Sequence, residues 1–515
     1  MDKSVRAIFL SSTSACFELT GGAPYYAGEK YSVYLNGERV IAEEAQNVFS
    51  LFSLTPNTRY ELTVGDHSLS FTTADESGVV TPCEFGAVGD GIADDTVPIR
   101  EAIAACPIGG RVYIPEGVYL TEPVRLKSDM TLELARGAVL LGFSDTKRYD
   151  VLPAYIEKDG ERRIYSVYGG EAQPCYASLI SAYFEKNINI VGEGVIDGNA
   201  HTSEWWTTAF VKNAEVKRPR LVFLNGCECV NFHGILGRNS PSWNFHPFLC
   251  DGVGYYGVRV EADKNSPNTD GINPECCDGV EIIGCHFSVG DDCIAVKSGK
   301  IDIGKSLSKP SRCITVRNCL MEFGHGGVVL GSEISGGVRE LSVTGCVFRG
   351  TERGLRIKTR RGRGESCVVD GVEFENIVME RVGTPFVINM HYNCDPDGNS
   401  DYVQSRLPLP VDGGTPRFGG FSFKNITALD CQAAAAYFEG LAEMPIRSVR
   451  FENVKITLAT DAQPALIDGF LPRTYLCRAG MIFKNVDSVT LENTVVEGYL
   501  GDKIVTESVC SVIES

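Results

Sequence analysis

The sequence predicts an all-β fold: a right-handed parallel β-helix over residues 77–515, preceded by a small β-sandwich over 1–76. Three observations carry this prediction. A short unit of the form apolar-x-apolar-x-(Asn or Gly)-(apolar or Cys) recurs at 230–235, 253–258, 280–285, 314–319, 341–346, 372–377, 421–426, 449–454 and 489–494. Most copies lie roughly 23–34 residues apart, a solenoid period. The units are too short for helical periodicity and too regular for a sandwich, so their apolar positions must stack into ladders inside a coil. Finally, the first 76 residues alternate apolar and polar side chains at period 2, which is strand patterning of another kind.

In chain order, Tyr31-Ser32-Val33-Tyr34-Leu35, Tyr60-Glu61-Leu62-Thr63-Val64 and Leu69-Ser70-Phe71-Thr72 are strands separated by turns such as Asn36-Gly37. The segment Leu54-Thr55-Pro56-Asn57-Thr58-Arg59-Tyr60 resembles the fibronectin type III signature, which implies support or substrate presentation as the role of this region. Residues 94–106 read as one short amphipathic helix with Asp94 or Asp95 as N-cap, placed to cover the open first coil. The repeats follow. Their Asn or Gly positions are Gly234, Gly257, Gly284, Asn318, Gly345, Asn376, Asn425, Asn453 and Asn493, where stacked Asn side chains can bond to one another. Two long departures, at 147–176 and 395–418, are rich in Tyr, Pro and charge, and loops of that length are usually functional.

The chain has 515 residues, 43% of them hydrophobic, enough for a large core. No apolar run reaches the ~18 residues of a membrane span. Its formal net charge of −18 argues against nucleic acid and anionic membranes as partners. The same charge opposes an anionic substrate at long range, so an acidic sugar must be met by a local basic cluster. Residues 1–10 offer a short apolar patch without a cleavage site, and nineteen scattered cysteines suit a reducing compartment, so the expected location is cytoplasmic. Cys227/Cys229 and Cys276/Cys277 lack zinc-site spacing and read as packing.

Four polar clusters fall at the repeat period: Asn268-Thr269-Asp270, Gly290-Asp291-Asp292, Gly324-His325-Gly326 and Arg356-Ile357-Lys358. Stacked strands lie about 4.8 Å apart, so these clusters line one stripe of the cylinder. Three crowded carboxylates repel, and at least one should keep a proton at neutral pH, which supplies an acid and a base for glycosidic hydrolysis. A flat strand sends Asp291 and Asp292 to opposite faces, so the backbone must bend there, and Gly290 makes a bend cheap. Arg356 and Lys358, two apart on a strand, share a face and can hold a uronate carboxylate. The run Arg360-Arg361-Gly362-Arg363 is either part of that basic cluster or a solvated loop.

Together these motifs resemble the four signatures of the polygalacturonase family, glycoside hydrolase family 28. The stretch Phe85-Gly86-Ala87-Val88-Gly89-Asp90-Gly91 followed by Asp94-Asp95-Thr96 is similar to the opening coil of that pectin lyase-like superfamily. The resemblance covers roughly residues 80–500 and extends to bacterial exo-polygalacturonases with a leading fibronectin type III-like domain. It implies hydrolysis of α-1,4-galacturonosyl linkages in polygalacturonate or pectic oligosaccharides, with inversion and with no metal or cofactor. By it Asp291 is the general acid, Asp270 and Asp292 activate water, and His325 tunes the acid. Arg356 and Lys358 grip galacturonate on the leaving side, Tyr392 is similar to the family's substrate-contacting tyrosine, and Asn268 orients Asp270.

Some positions depart from the family pattern. Asn273 stands where an acidic residue is common. Gly290, Lys297 and the stretch Asn239–Pro247 look like bacterial members, which adds Lys297 and His246 to the substrate-binding candidates, with Trp243 shaping the non-reducing side of the cleft or packing in the core. Lys297 lies an odd number of positions from Asp292 and faces away in a regular strand. The long loops, if they wall off one end of the cleft, favour exo action. The alternatives are a rhamnogalacturonan or xylogalacturonan hydrolase, a calcium-dependent lyase on the same fold, and a non-catalytic carbohydrate-binding β-helix.

Overall fold

The structure, a computed structural model, describes residues 4–211 and 214–515. Strands Ser4–Leu10, Ala15–Thr20 and Val48–Leu51 form one antiparallel sheet; Tyr26–Leu35, Glu38–Gln46, Arg59–Val64 and His67–Thr72 form a second. Their alternate side chains meet in a core around Phe17, Val33, Phe49, Leu62 and Phe71. From Val79–Val80 onward the strands enter one large parallel stack, a right-handed parallel β-helix.

Register within this stack follows the sequence repeat residue for residue. Val230, Val253, Val280, Ile314, Leu341, Val372, Phe421, Val449 and Val489 pair in succession as one ladder. Each is at most 2% exposed, so the repeat's first apolar position is the core of the coil. All nine Asn/Gly positions have φ between 45° and 77°. That is the left-handed region, which Gly and Asn enter at least cost.

The choice between the two residues has a cause the repeat alone does not reveal. Asn425, Asn453 and Asn493 form a side-chain ladder, Asn453 Nδ2 donating to Asn425 at 3.1 Å and Asn493 Nδ2 to Asn453 at 2.9 Å. On earlier coils the sandwich lies against the same turns, and Gly makes room for it. A Cβ on Gly234 would strike Phe52, and one on Gly284 would strike Val48. Around them Ser14 and Ser50 hydroxyls each lie 2.9 Å from a nitrogen of the His233 ring, and Tyr25 N donates to Gly345 O at 2.8 Å. Buried Glu18 accepts from Arg317 Nε at 2.6 Å and from Asn318 Nδ2 at 2.7 Å.

Helix Thr96–Ala105 covers the first coil with Ile99, Ala102 and Ile103. Asp95 holds the N-cap position, yet its carboxylate accepts from the Val88 and Gly89 amides, while Asp94 accepts from Thr96 N at 3.0 Å. All nineteen cysteines are free thiols, most of them buried in the coil. No helix among the described residues is long and apolar enough to cross a membrane.

Candidate active site

The four polar clusters converge on the outer face of one sheet of the coil. Strands Ile294–Val296, Val328–Gly331, Arg353–Lys358 and Thr384–Asn389 stack there in register, pairing Ala295, Val329, Arg356 and Val387. Asp270, Asp291 and Asp292 precede these strands, and each offers an oxygen within 4.8 Å of the other two. The chain bends at 290–293, and both members of the pair lie beside Asp270 rather than on opposite faces. Gly290 serves close packing rather than the bend: a Cβ there would lie 2.5 Å from Ser266 O and 2.6 Å from Asp263 O.

The three carboxyls sit in different surroundings. Asp270 is 3% exposed and accepts from Asn273 Nδ2 at 2.8 Å, with Lys297 Nζ 3.9 Å away. Burial and then the Asp291 charge push its pKa up to about 8, so the trio keeps a proton at neutral pH. Burial would also raise Asp292, but the Lys358 ammonium 2.8 Å from Oδ2 and the Arg356 guanidinium 3.5 Å from Oδ1 hold it well below the carboxylate range. Asp291 is the most open of the three, its side chain 21% exposed, with Oδ1 3.4 Å from His325 Nδ1. This contact raises the imidazole pKa. Tyr392 presents its ring 5.8 Å from the Arg356 guanidinium and 5.7 Å from the Lys358 ammonium.

Several expectations change. Asn268 does not orient Asp270: its Nδ2 points to Asp291 Oδ2 at 3.5 Å, and Asn273 bonds Asp270 instead. Lys297 does not face away, because the bend at 290–293 breaks the strand parity. Its ammonium lies 3.1 Å from Glu333, and beyond Asp270 it sits 4.3 Å over the Trp243 ring. His246 is sealed from solvent with Nε2 on Glu275 at 2.8 Å, so it supports the floor rather than touching a ligand. Nor is Arg360–Arg363 a solvated loop. Arg360 and Arg363 anchor Asp395 and Asp397 of the second long loop, and Arg361 binds Glu443.

Other residues emerge only in three dimensions. Asp468, fully buried, accepts from Arg356 Nη2 at 2.6 Å and Nε at 3.1 Å. It lies in a loop outside the repeat, held by Arg353 through Leu466 O and Ile467 O. At the N-terminal end of the cleft, Arg218 donates to Tyr168 Oη at 3.0 Å and Asn268 Oδ1 at 2.6 Å, and Arg220 donates to Val167 O at 2.7 Å. The Arg220 guanidinium lies between the Tyr168 and Trp243 rings. These two buried arginines have only neutral hydrogen-bond partners among the described residues, and two of those partners, Tyr168 Oη and Val167 O, belong to the first long loop. The three aspartates have the spacing of a cation site. Lys358, Arg356 and Lys297 already supply the positive charge such an ion would bring.

Comparison with known proteins places these features in context. Residues 168–467 match the family model described as glycosyl hydrolases family 28, and residues 81–133 match one described as rhamnogalacturonase A/epimerase, pectate lyase-like. A probable polygalacturonase of Vitis vinifera is 31% identical over 390 residues, 74% of each chain. An exo-poly-α-D-galacturonosidase of Dickeya chrysanthemi is 29% identical over 73% of this chain and 68% of its own. Among solved structures, the exopolygalacturonase of Thermotoga maritima superposes with a TM-score of 0.62 at 27% identity, covering 79% of this chain and 91% of its own. The family 28 exopolygalacturonase of Yersinia enterocolitica gives 0.71 at 20% identity, covering 99% and 98%.

Proposed function

Since the chain belongs to glycosyl hydrolases family 28, and is thus a glycoside hydrolase of polygalacturonase type, we propose that it removes residues from the end of galacturonate chains, with Asp270, Asp291 and Asp292 as its catalytic carboxyls. The observation that carries the residue roles is the unequal setting of the trio. Asp292 is held ionised, and its Oδ1 is buried without a hydrogen-bond donor among the described residues, so it is the base for a water molecule that Asp270 helps to seat. Asp291, open to the cleft and steadied by His325, protonates the leaving oxygen. The proton that the trio retains reaches Asp291 across the short gap between carboxyls. Arg356 and Lys358 hold the galacturonate carboxylate on the leaving side, with Tyr392 against the sugar face.

Exo action is supported by the first long loop. Its tip, Val167–Tyr168, docks on Arg218 and Arg220, and Asn268 links that coil to the Asp291 coil. The docking arginines stand two coil spacings from Asp270 and three from Asp292, about 10–15 Å, the reach of two or three sugar units. The Dickeya and Thermotoga relatives carry exo-acting names. The test is a product time course on oligogalacturonides of defined length. Mono- or digalacturonate from the first minutes supports exo action; mixed intermediate lengths refute it, and an unsaturated, UV-absorbing product refutes hydrolysis.

One observation favours a second reading of the stereochemistry. Oxygens within 4.8 Å are closer than the roughly 6.5–9.5 Å of most inverting pairs and approach the ~5–5.5 Å of retaining ones. Water attack with inversion remains the better reading here. Asp270 carries the proton and so is no nucleophile, while the unbonded Oδ1 of Asp292 is placed to take a proton from a water molecule that Asp270 helps to seat.

A further inference from the structure

Lys300, three residues after Lys297, touches both long loops at once. Its ammonium lies 3.2 Å from Glu171 Oε1 in the first loop and 2.9 Å from Asp395 Oδ1 in the second. Its backbone N–H also donates to Gly170 O at 2.8 Å. Gly170 packs so closely on Lys300 and Glu333 that a Cβ there would lie 2.8 Å from both. Glu333 in turn holds Lys297, beside Asp270. The second loop is fixed independently, because Asp395 also pairs with Arg363 at 2.9 Å and Arg360 at 3.6 Å. Asp395 is thus held from two further sides, whereas among the described residues the Glu171 carboxylate has Lys300 as its one partner outside its own loop.

Without the lysine, two carboxylates would face each other across the junction and repel. We propose that Lys300 is a latch that joins the two long loops into one continuous wall, and that this junction sets where a galacturonate chain can enter the cleft. Lys300 touches none of the three catalytic carboxyls, so it is a positioning residue for the substrate's path. The proposal rests on the exo-acting reading above and names the contact that enforces it.

Exposed ion pairs contribute little on their own. This one differs in that the lysine is mostly shielded, its side chain 21% exposed, and is tied by its own backbone to the loop it holds. Opening the first loop at Glu171 widens the cleft beside the catalytic coil, where an internal stretch of polymer could then lie.

The test compares wild type, Lys300→Met, Lys300→Arg and Glu171→Gln on digalacturonate and on long polygalacturonate, with thermal unfolding and circular dichroism to confirm folding. The expected result is that Lys300→Met and Glu171→Gln keep turnover of digalacturonate within a few-fold of wild type, yet release intermediate-length oligomers from the polymer. Lys300→Arg, which keeps the charge, should restore end-only products. If wild type is end-acting and folded Lys300→Met yields the same end-only products, the latch is refuted while the exo-acting reading stands. If wild type itself releases mixed lengths at the outset, both fall together.

Discussion

Replacing Asp270 by Asn should abolish activity and make the protein more stable, increasingly so toward alkaline pH. Folded Asp270 holds its proton up to about pH 8, whereas an unfolded carboxyl releases it near 3.8. Between those values the folded state binds the extra proton, so stability falls as pH rises, and the loss is complete above about 8. A rise of about four units has a ceiling near 6 kcal/mol. Relaxation and water entry through the open Asp291 side reduce the expected gain to about 1–3 kcal/mol. An Asn carboxamide still accepts the Asn273 bond and can donate toward Asp291, so little is lost in exchange. The assay is unfolding of wild type and Asp270→Asn at pH 4, 6 and 8. The stability gap should be smallest at pH 4 and widen to pH 8. A gap independent of pH, or a less stable variant at pH 8, would refute the placement of the proton.

Other outcomes follow from the same contacts. Asp291→Asn should leave the fold intact and lower kcat by about 10²–10⁴, the usual range for a lost general acid, as read by reducing-end release. Lys358→Met strands Asp292 in a buried site; we expect about 3–5 kcal/mol lower stability and a large fall in kcat/KM. Asp468→Asn should raise KM more than it lowers kcat, since Arg356 loses the carboxylate that aims it, and steady-state kinetics on trigalacturonate would report the split. Gly284→Ala drives a methyl into Val48 at a φ of 66°, so it should cost about 1–3 kcal/mol in thermal unfolding while kcat stays unchanged.

The coil was legible because its ladder is written into the sequence at every turn. Val230 to Val489 align without a slip, since a one-residue shift would send the whole apolar set outward. The catalytic stripe was legible for the same reason, each member lying one repeat from the next. Sequence reasoning failed where the chain leaves the repeat. Parity put Lys297 on the wrong side because the bend at 290–293 resets it. Asp468 and the loop-docking pair Arg218/Arg220 carry no local signal at all, because their partners arrive from other coils. Glu333 lies one coil after Lys297 but off its register, since Val296 pairs with Leu330 and Gly299 with Ile334, so alignment on Lys297 does not point to it. Gly234, Gly257 and Gly284 lie under Phe52, Ser50 and Val48 of the sandwich, contacts to which the repeat pattern gives no clue.

The central claim is that a water molecule seated by Asp270 and Asp292 attacks the linkage while Asp291 protonates its oxygen. Proton NMR of the anomeric region during the first minutes of digalacturonate or trigalacturonate hydrolysis tests it most directly. Direct attack on an α-linkage places the new reducing end in the β configuration before mutarotation. A β-anomer appearing first is the predicted result, and an α-anomer appearing first would show a covalent intermediate and contradict the account.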